Sequence, residues 1–174
     1  MRDYSITRLA IGALALLTAT GCHHSDDDAK RATAVANTTE EAKATIAAIS
    51  AAYNAHDAVK LASHDAPDYV SMFHGFATAI GPAADIASVN DQFKDPAAKF
   101  HLTIRDIDVA RSGEMAVVRT TYLYDFTDPK TNFVARESGN WLIGLKRQPD
   151  GSLKMTWSIG ADEPQTASAA NSAP

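Results

Sequence analysis

Hydrophobic positions along the chain follow two periods, helical up to Asp95-Pro96 and strand-like alternation after it. Thr38 followed by Glu41 has the form of a capping box, and Ala42, Ile46, Ile49 and Tyr53 then share one helical face, which predicts a helix starting at Thr38. Asn54-Ala55-His56-Asp57 interrupts it. Asp57 is placed to cap a second, shorter helix that uses Val59, Leu61 and Ala62 and stops ahead of Pro67. Tyr69 to Phe73 reads as a short strand. Gly81-Pro82 opens a third helix with Ile86, Val89 and Phe93 on one face, and Asp95-Pro96 ends it.

Beyond that point Phe100, Leu102 and Ile104 alternate with polar residues, and the apolar set then continues one register over at Ile107 and Val109. A bulge near Arg105-Asp106 accounts for the slip. Ser112-Gly113 turns the chain into a strand from Met115 to Phe126, with Ala116, Val118, Thr120, Tyr122, Tyr124 and Phe126 on one face and Arg119, Thr121 and Asp125 on the other. Asp128-Pro129 turns it again into Phe133 to Lys146, where Trp141, Ile143 and Leu145 align. After the turn Pro149-Asp150-Gly151, the residues Leu153, Met155, Trp157 and Ile159 alternate with Lys154, Thr156 and Ser158. Three helices followed by a long antiparallel meander predict an α+β fold, with helices on one face of a curved sheet.

The ends lack such periods. Arg2 and Arg8 precede a largely apolar run from Leu9 to Ala19, about 11 residues against the roughly 20 that a membrane-spanning helix needs, so the run reads as a cleaved export signal. Ala19-Thr20-Gly21-Cys22 resembles the lipobox of bacterial lipoproteins, in which the cysteine becomes the lipidated first residue. That resemblance implies a signal peptide over 1–21, lipidation at Cys22 and a protein anchored in the cell envelope facing the periplasm, with plain secretion as the alternative. His23 in the next position, where an Asp favours inner-membrane retention, points to the outer membrane. Residues 22–37, with paired histidines and Asp26-Asp27-Asp28 but no hydrophobic period, read as a flexible tether, and residues 164–174 as a disordered tail. The domain is therefore expected over 38–163, roughly 125 residues, enough for one core.

Composition narrows the chemistry. Asp and Glu outnumber Lys and Arg by 21 to 16, and no basic tract of five or more residues occurs, which argues against nucleic-acid capture. Membrane contact is expected through the lipid anchor alone. Cys22 is the only cysteine, so neither an internal disulfide nor a thiol catalyst is available once it is lipidated. His56, His64 and His101 follow no ligand spacing, and no metal or cofactor is predicted. Glycine-rich nucleotide loops and the Gly-x-Ser-x-Gly elbow are missing from the sequence.

The segments Tyr53-Asn54-Ala55-His56-Asp57, His74-Gly75 to Gly81, Asp106-Ile107-Asp108-Val109 with Ser112-Gly113-Glu114-Met115-Ala116, and Gly139-Asn140-Trp141-Leu142 running into Arg147-Gln148-Pro149-Asp150-Gly151-Ser152 occur in this order. Together they resemble the SnoaL-like, ketosteroid isomerase-like group of the nuclear transport factor 2-like superfamily, over nearly all of Thr38 to Ile159. The resemblance implies a cystatin-like half-barrel: a cone-shaped curved antiparallel sheet wraps a long helix and leaves an apolar pocket, and many relatives form homodimers through the outer sheet face. In the steroid isomerases a tyrosine, a proton-shuttling aspartate and a second aspartate carry the reaction. Matching on Asn54 to Asp57 places these at Ile49, near Phe73 and near Asn140, so none is preserved. Ile49 and Phe73 supply neither base nor donor, which argues against steroid isomerisation.

Three readings follow. In the first, the domain binds a small apolar molecule in a pocket walled by Tyr53, Phe73, Tyr122 and Trp141, with His74 and Asn140 as polar handles. In the second, it is an isomerase, dehydratase or hydrolase with His74 as general base. In the third, it is a noncatalytic dimerising interaction module using the outer sheet face.

Overall fold

The computed structural model describes residues 22–164, which leaves residues 1–21 and all but the first residue of the expected tail outside the described part. Helix α1 runs over Cys22–Asn54, α2 over Ala58–Ala62 and α3 over Pro82–Gln92. Strands β1 (Asp65–Phe73), β2 (Ala79–Ile80), β3 (Lys99–Val109), β4 (Met115–Thr127), β5 (Val134–Arg147) and β6 (Leu153–Asp162) join in one sheet of order β2-β1-β6-β5-β4-β3. The β3 to β6 meander is antiparallel, as the alternation predicts. The strand β1 lies parallel to β6 and makes the sheet mixed.

The first helix corrects the expected boundary. The segment read as a flexible tether, 22–37, is the first half of α1, and Thr38 sits inside the helix rather than at its cap. Thr38 is 1% exposed; its Oγ1 donates to the Gly113 carbonyl at 2.7 Å and accepts from Arg147 Nη2 at 2.9 Å. Glu41, its supposed box partner, pairs with Arg147 at 2.8 Å. The polar pair that looked like a local cap thus fastens α1 to the turn before β4 and to the end of β5. Gly113, at φ 76, packs so tightly on Ala34 that a Cβ would press on its carbonyl, so the β3–β4 turn grips the early helix too.

Other boundaries follow local chemistry. At the end of α1, His56 adopts φ 55 while its N–H reaches Tyr53 O and the Asp57 N–H reaches Ala52 O, the paired bonds of a left-handed helix stop. Asp57 then caps α2 by accepting from the Lys60 N–H at 2.9 Å. Gly81, at φ 78, and Pro82 begin α3.

The core lies between α1 and the concave sheet face. Ala42, Ile46 and Ile49 pack in one cluster with Val118, Ile143, Leu145 and Met155, all nearly sealed from solvent. The slip expected near Arg105-Asp106 is present as a register shift between Ile104 and Asp106. A second bulge was not legible: opposite Gly144 and Leu145, β6 advances from Met155 to Trp157 and reverses its phase. Ser158 therefore turns inward and Trp157 and Ile159 outward, where the Trp157 ring lies over Gly144. The Tyr69 and Ser158 hydroxyls hydrogen-bond at 2.8 Å, which accommodates the buried serine.

Candidate functional site

Toward one end of the cone the close-packed core gives way to a chamber. The space open to the centre of a water-sized sphere is about 100 Å³, several times what one water requires, and a wider vestibule adjoins it, sharing His74, Phe76, Ser88, Glu137 and Asp162. Tyr53, Phe73, Tyr122 and Trp141, the expected wall, all line the chamber, joined by Phe100 and Tyr124. Phe100 stacks on Tyr122 at 5.0 Å and meets Trp141 edge-on at 5.8 Å, while Phe73 leans on Trp141 at 5.8 Å. These offset and edge contacts hold the rings at fixed angles.

Two glycines make room for that wall. Gly160 has the Phe73 ring directly over its Cα, and Gly139 lies beneath the hydroxyl end of Tyr122. Any side chain at Gly139 would separate Tyr122 from Asp162, whose carboxylate accepts the Tyr122 hydroxyl proton. Tyr53 donates in turn to Gln92 Oε1 at 2.6 Å, so both hydroxyls are committed.

The two expected polar handles fare differently. His74 lies in the exposed turn after β1, at the rim shared by chamber and vestibule, and makes no side-chain hydrogen bond to a described residue. Asn140 does not line the pocket. Strand parity decides this: Glu137, Gly139 and Trp141 face inward, so Asn140 lies on the convex side, exposed and opposite Thr121. Of the positions matched to the isomerase groups, Ile49 and Phe73 present apolar side chains to the chamber.

Sequence reasoning missed the acids. Asp85, on the first turn of α3, is 6% exposed and lines the chamber, with its carboxyl pushed up to about 6 by burial. Its spacing of four from Val89 was the available signal, an acid on an apolar helical face. Nearby on β1, Asp65 is sealed with both oxygens unpartnered among the described residues, and burial, reinforced by the Asp85 charge and opposed by Lys154, pushes it up to about 8. At the rim, burial and the neighbouring Asp162 charge both raise Glu137. Among the described residues no group of three or more His, Cys, Asp or Glu side chains is placed to hold a metal ion.

A family model described as a SnoaL-like domain matches residues 42–144. No curated protein matches in sequence. Among solved structures, a ketosteroid isomerase-like protein from Erwinia carotovora atroseptica is similar at a TM-score of 0.61 and 20% identity, covering 69% of this chain and 92% of that one. An NTF2-like protein with a cystatin-like fold from Novosphingobium aromaticivorans has a TM-score of 0.60 and 18% identity, over 88% and 95% of the two chains. A structure from Catenulispora acidiphila in complex with S-DNPA has a TM-score of 0.58 and 18% identity, over 73% and 94%. The curved sheet wrapped on helices is thus the cystatin-like fold of nuclear transport factor 2-like proteins.

Proposed function

The chain belongs to the SnoaL-like domain family, and on that premise we propose that its cone holds one small, largely apolar molecule, in an exported protein attached to the cell envelope through lipid on Cys22. The aromatic chamber is the observation that carries this reading: eight Phe, Tyr and Trp rings line a space left open at one end, with a few polar groups among them. Enclosure by apolar walls with sparse polar groups is how small-molecule sites gain affinity and orientation. The neighbour from Catenulispora acidiphila, in complex with S-DNPA, is in keeping with a ligand-holding cone. Steroid isomerisation is disfavoured because Ile49 and Phe73 bring no proton-transfer group to the chamber.

Envelope placement rests on the order of Arg8, the apolar run and Ala19-Thr20-Gly21-Cys22, with outer-membrane sorting favoured by His23. Incorporation of labelled fatty acid, lost in Cys22→Ser, checks the anchor. A second copy pairs across the convex sheet, where Met72, Ile159 and Leu142 lie side by side on three adjacent strands, each more than a third exposed. Equilibrium sedimentation checks that pairing.

Ser88 lines both chamber and vestibule, so Ser88→Phe should plug the passage. In calorimetry of the soluble Cys22→Ser protein, the neutral probe 2-naphthol is expected to bind once per chain, and Ser88→Phe to weaken it at least about 10-fold. Binding that ignores this substitution, or no binding, overturns the pocket reading.

A further inference from the structure

The walls of the pocket carry charge of one sign. Asp85 lies in the chamber, Glu137 and Asp162 at its rim, and Asp95 in the vestibule, whereas no lysine or arginine lines either space among the described residues. His74 at the rim is the one basic side chain there. Asp91, also in the vestibule, has its own cation in Lys94 at 2.6 Å, and Asp95 is held by the Thr127 N–H and hydroxyl.

Asp85 has no such partner. It is 6% exposed and accepts no side-chain hydrogen bond from a described residue, although it borders the empty space. A carboxylate removed from water without a partner is costly, and an occupant bringing a positive charge removes that cost. Glu137 and Asp162 sit on one inward face near the opening, like charges with no ion-pair partner among the described residues, and favour the same sign of ligand. The aromatic rings of Tyr53, Phe100, Tyr122 and Trp141 in the lining are of the kind that attracts a cation. An anionic ligand finds no lysine or arginine in this lining among the described residues, and Asp85, Asp95, Glu137 and Asp162 face it. A bare metal ion finds no set of three ligating side chains among the described residues.

We propose that the occupant of the chamber is an organic amine, an apolar body whose protonated nitrogen is received by Asp85 among the aromatic walls. The proposal rests on the pocket reading above and names its ligand class. The acids at the rim draw the cation in, and Asp85 fixes it at depth.

Calorimetry of the Cys22→Ser protein near neutral pH, with three probes of matched shape, tests this. The probes are 2-(2-naphthyl)ethylamine, 2-(2-naphthyl)ethanol and 2-naphthylacetate. The amine is expected to bind about 10-fold or more tightly than the alcohol, with the acid weakest. Asp85→Asn should lower amine affinity about 10-fold and leave the alcohol within about 3-fold. Asp85→Ser carries the same expectation should the first variant fail to fold. Equal binding of amine and alcohol overturns the amine assignment and leaves the pocket standing, whereas binding by none of the probes overturns both. An amine preference unchanged in both Asp85 variants overturns the role given to Asp85.

Discussion

The two ends of the cone are built from the same strands with opposite materials. Along β4 the inward residues run from Ala116, Val118 and Thr120 to Tyr122 and Tyr124, and along β5 from Leu145 and Ile143 through Trp141 and Gly139 to Glu137. The aliphatic end closes on Ala42 and Ile46, which are nearly sealed from solvent. At the aromatic end, large flat rings fixed by hydroxyl bonds and by glycines cannot interdigitate as branched aliphatics do, and a chamber remains. The tightest aliphatic packing therefore lies at one end and the open space at the other.

The sharpest way to break that division is a cavity at the closed end. Ile143 is fully sealed, so Ile143→Ala should cost roughly 2–5 kcal/mol in chemical denaturation. A loss below about 1 kcal/mol would mean that the closed end is not the stabilising core.

Asp65 tests the boundary between the ends through pH. Its carboxyl keeps its proton up to about 8 in the folded chain, against 3.8 for an ordinary Asp, so the unfolded chain releases the proton first as pH rises. Folding stability should accordingly fall between those two values, where the native state binds more protons, with Asp85 adding to the early part of the fall. Asp65→Asn removes most of this slope, and thermal melts should show the variant gaining on the parent by roughly 1–3 kcal/mol from the acidic to the alkaline side. Parallel pH profiles for the two proteins would show that Asp65 ionises normally.

Tyr122→Phe gives the smallest effect and sharpens the contrast from the open end. The ring wall remains while the bond to Asp162 is lost, so stability should drop by only about 1 kcal/mol. A loss as large as that of Ile143→Ala would place the open end within the stabilising core.

Much of this arrangement was readable from spacing alone. Asp57 as a cap, Gly81-Pro82 as a helix start, the slip at Arg105-Asp106 and the inward set on β4 are local signals, and each acts within a few residues of itself. Tyr53, Phe73, Tyr122 and Trp141 meet in the chamber because each lies on the inward phase of an element correctly recognised. Asn140 failed because family position ignores strand parity: its neighbours Gly139 and Trp141 own the inward phase.

What the amino-acid order determined by itself was the sequence of the main elements and the aromatic character of the pocket wall. Only the tertiary structure decided the rest. Thr38 and Glu41 fit a capping box equally well on paper, and it is Gly113 and Arg147, brought close from 75 and 109 residues beyond Thr38, that draw them into long-range bonds inside a longer helix. The bulge at Thr156 reverses β6, burying Ser158 and bringing Asp162 beneath Tyr122. Asp85 became a candidate ligand group only because α3 packs over the mouth of the cone, and a buried carboxyl's missing partner is a property of its surroundings, which no local pattern of residues encodes.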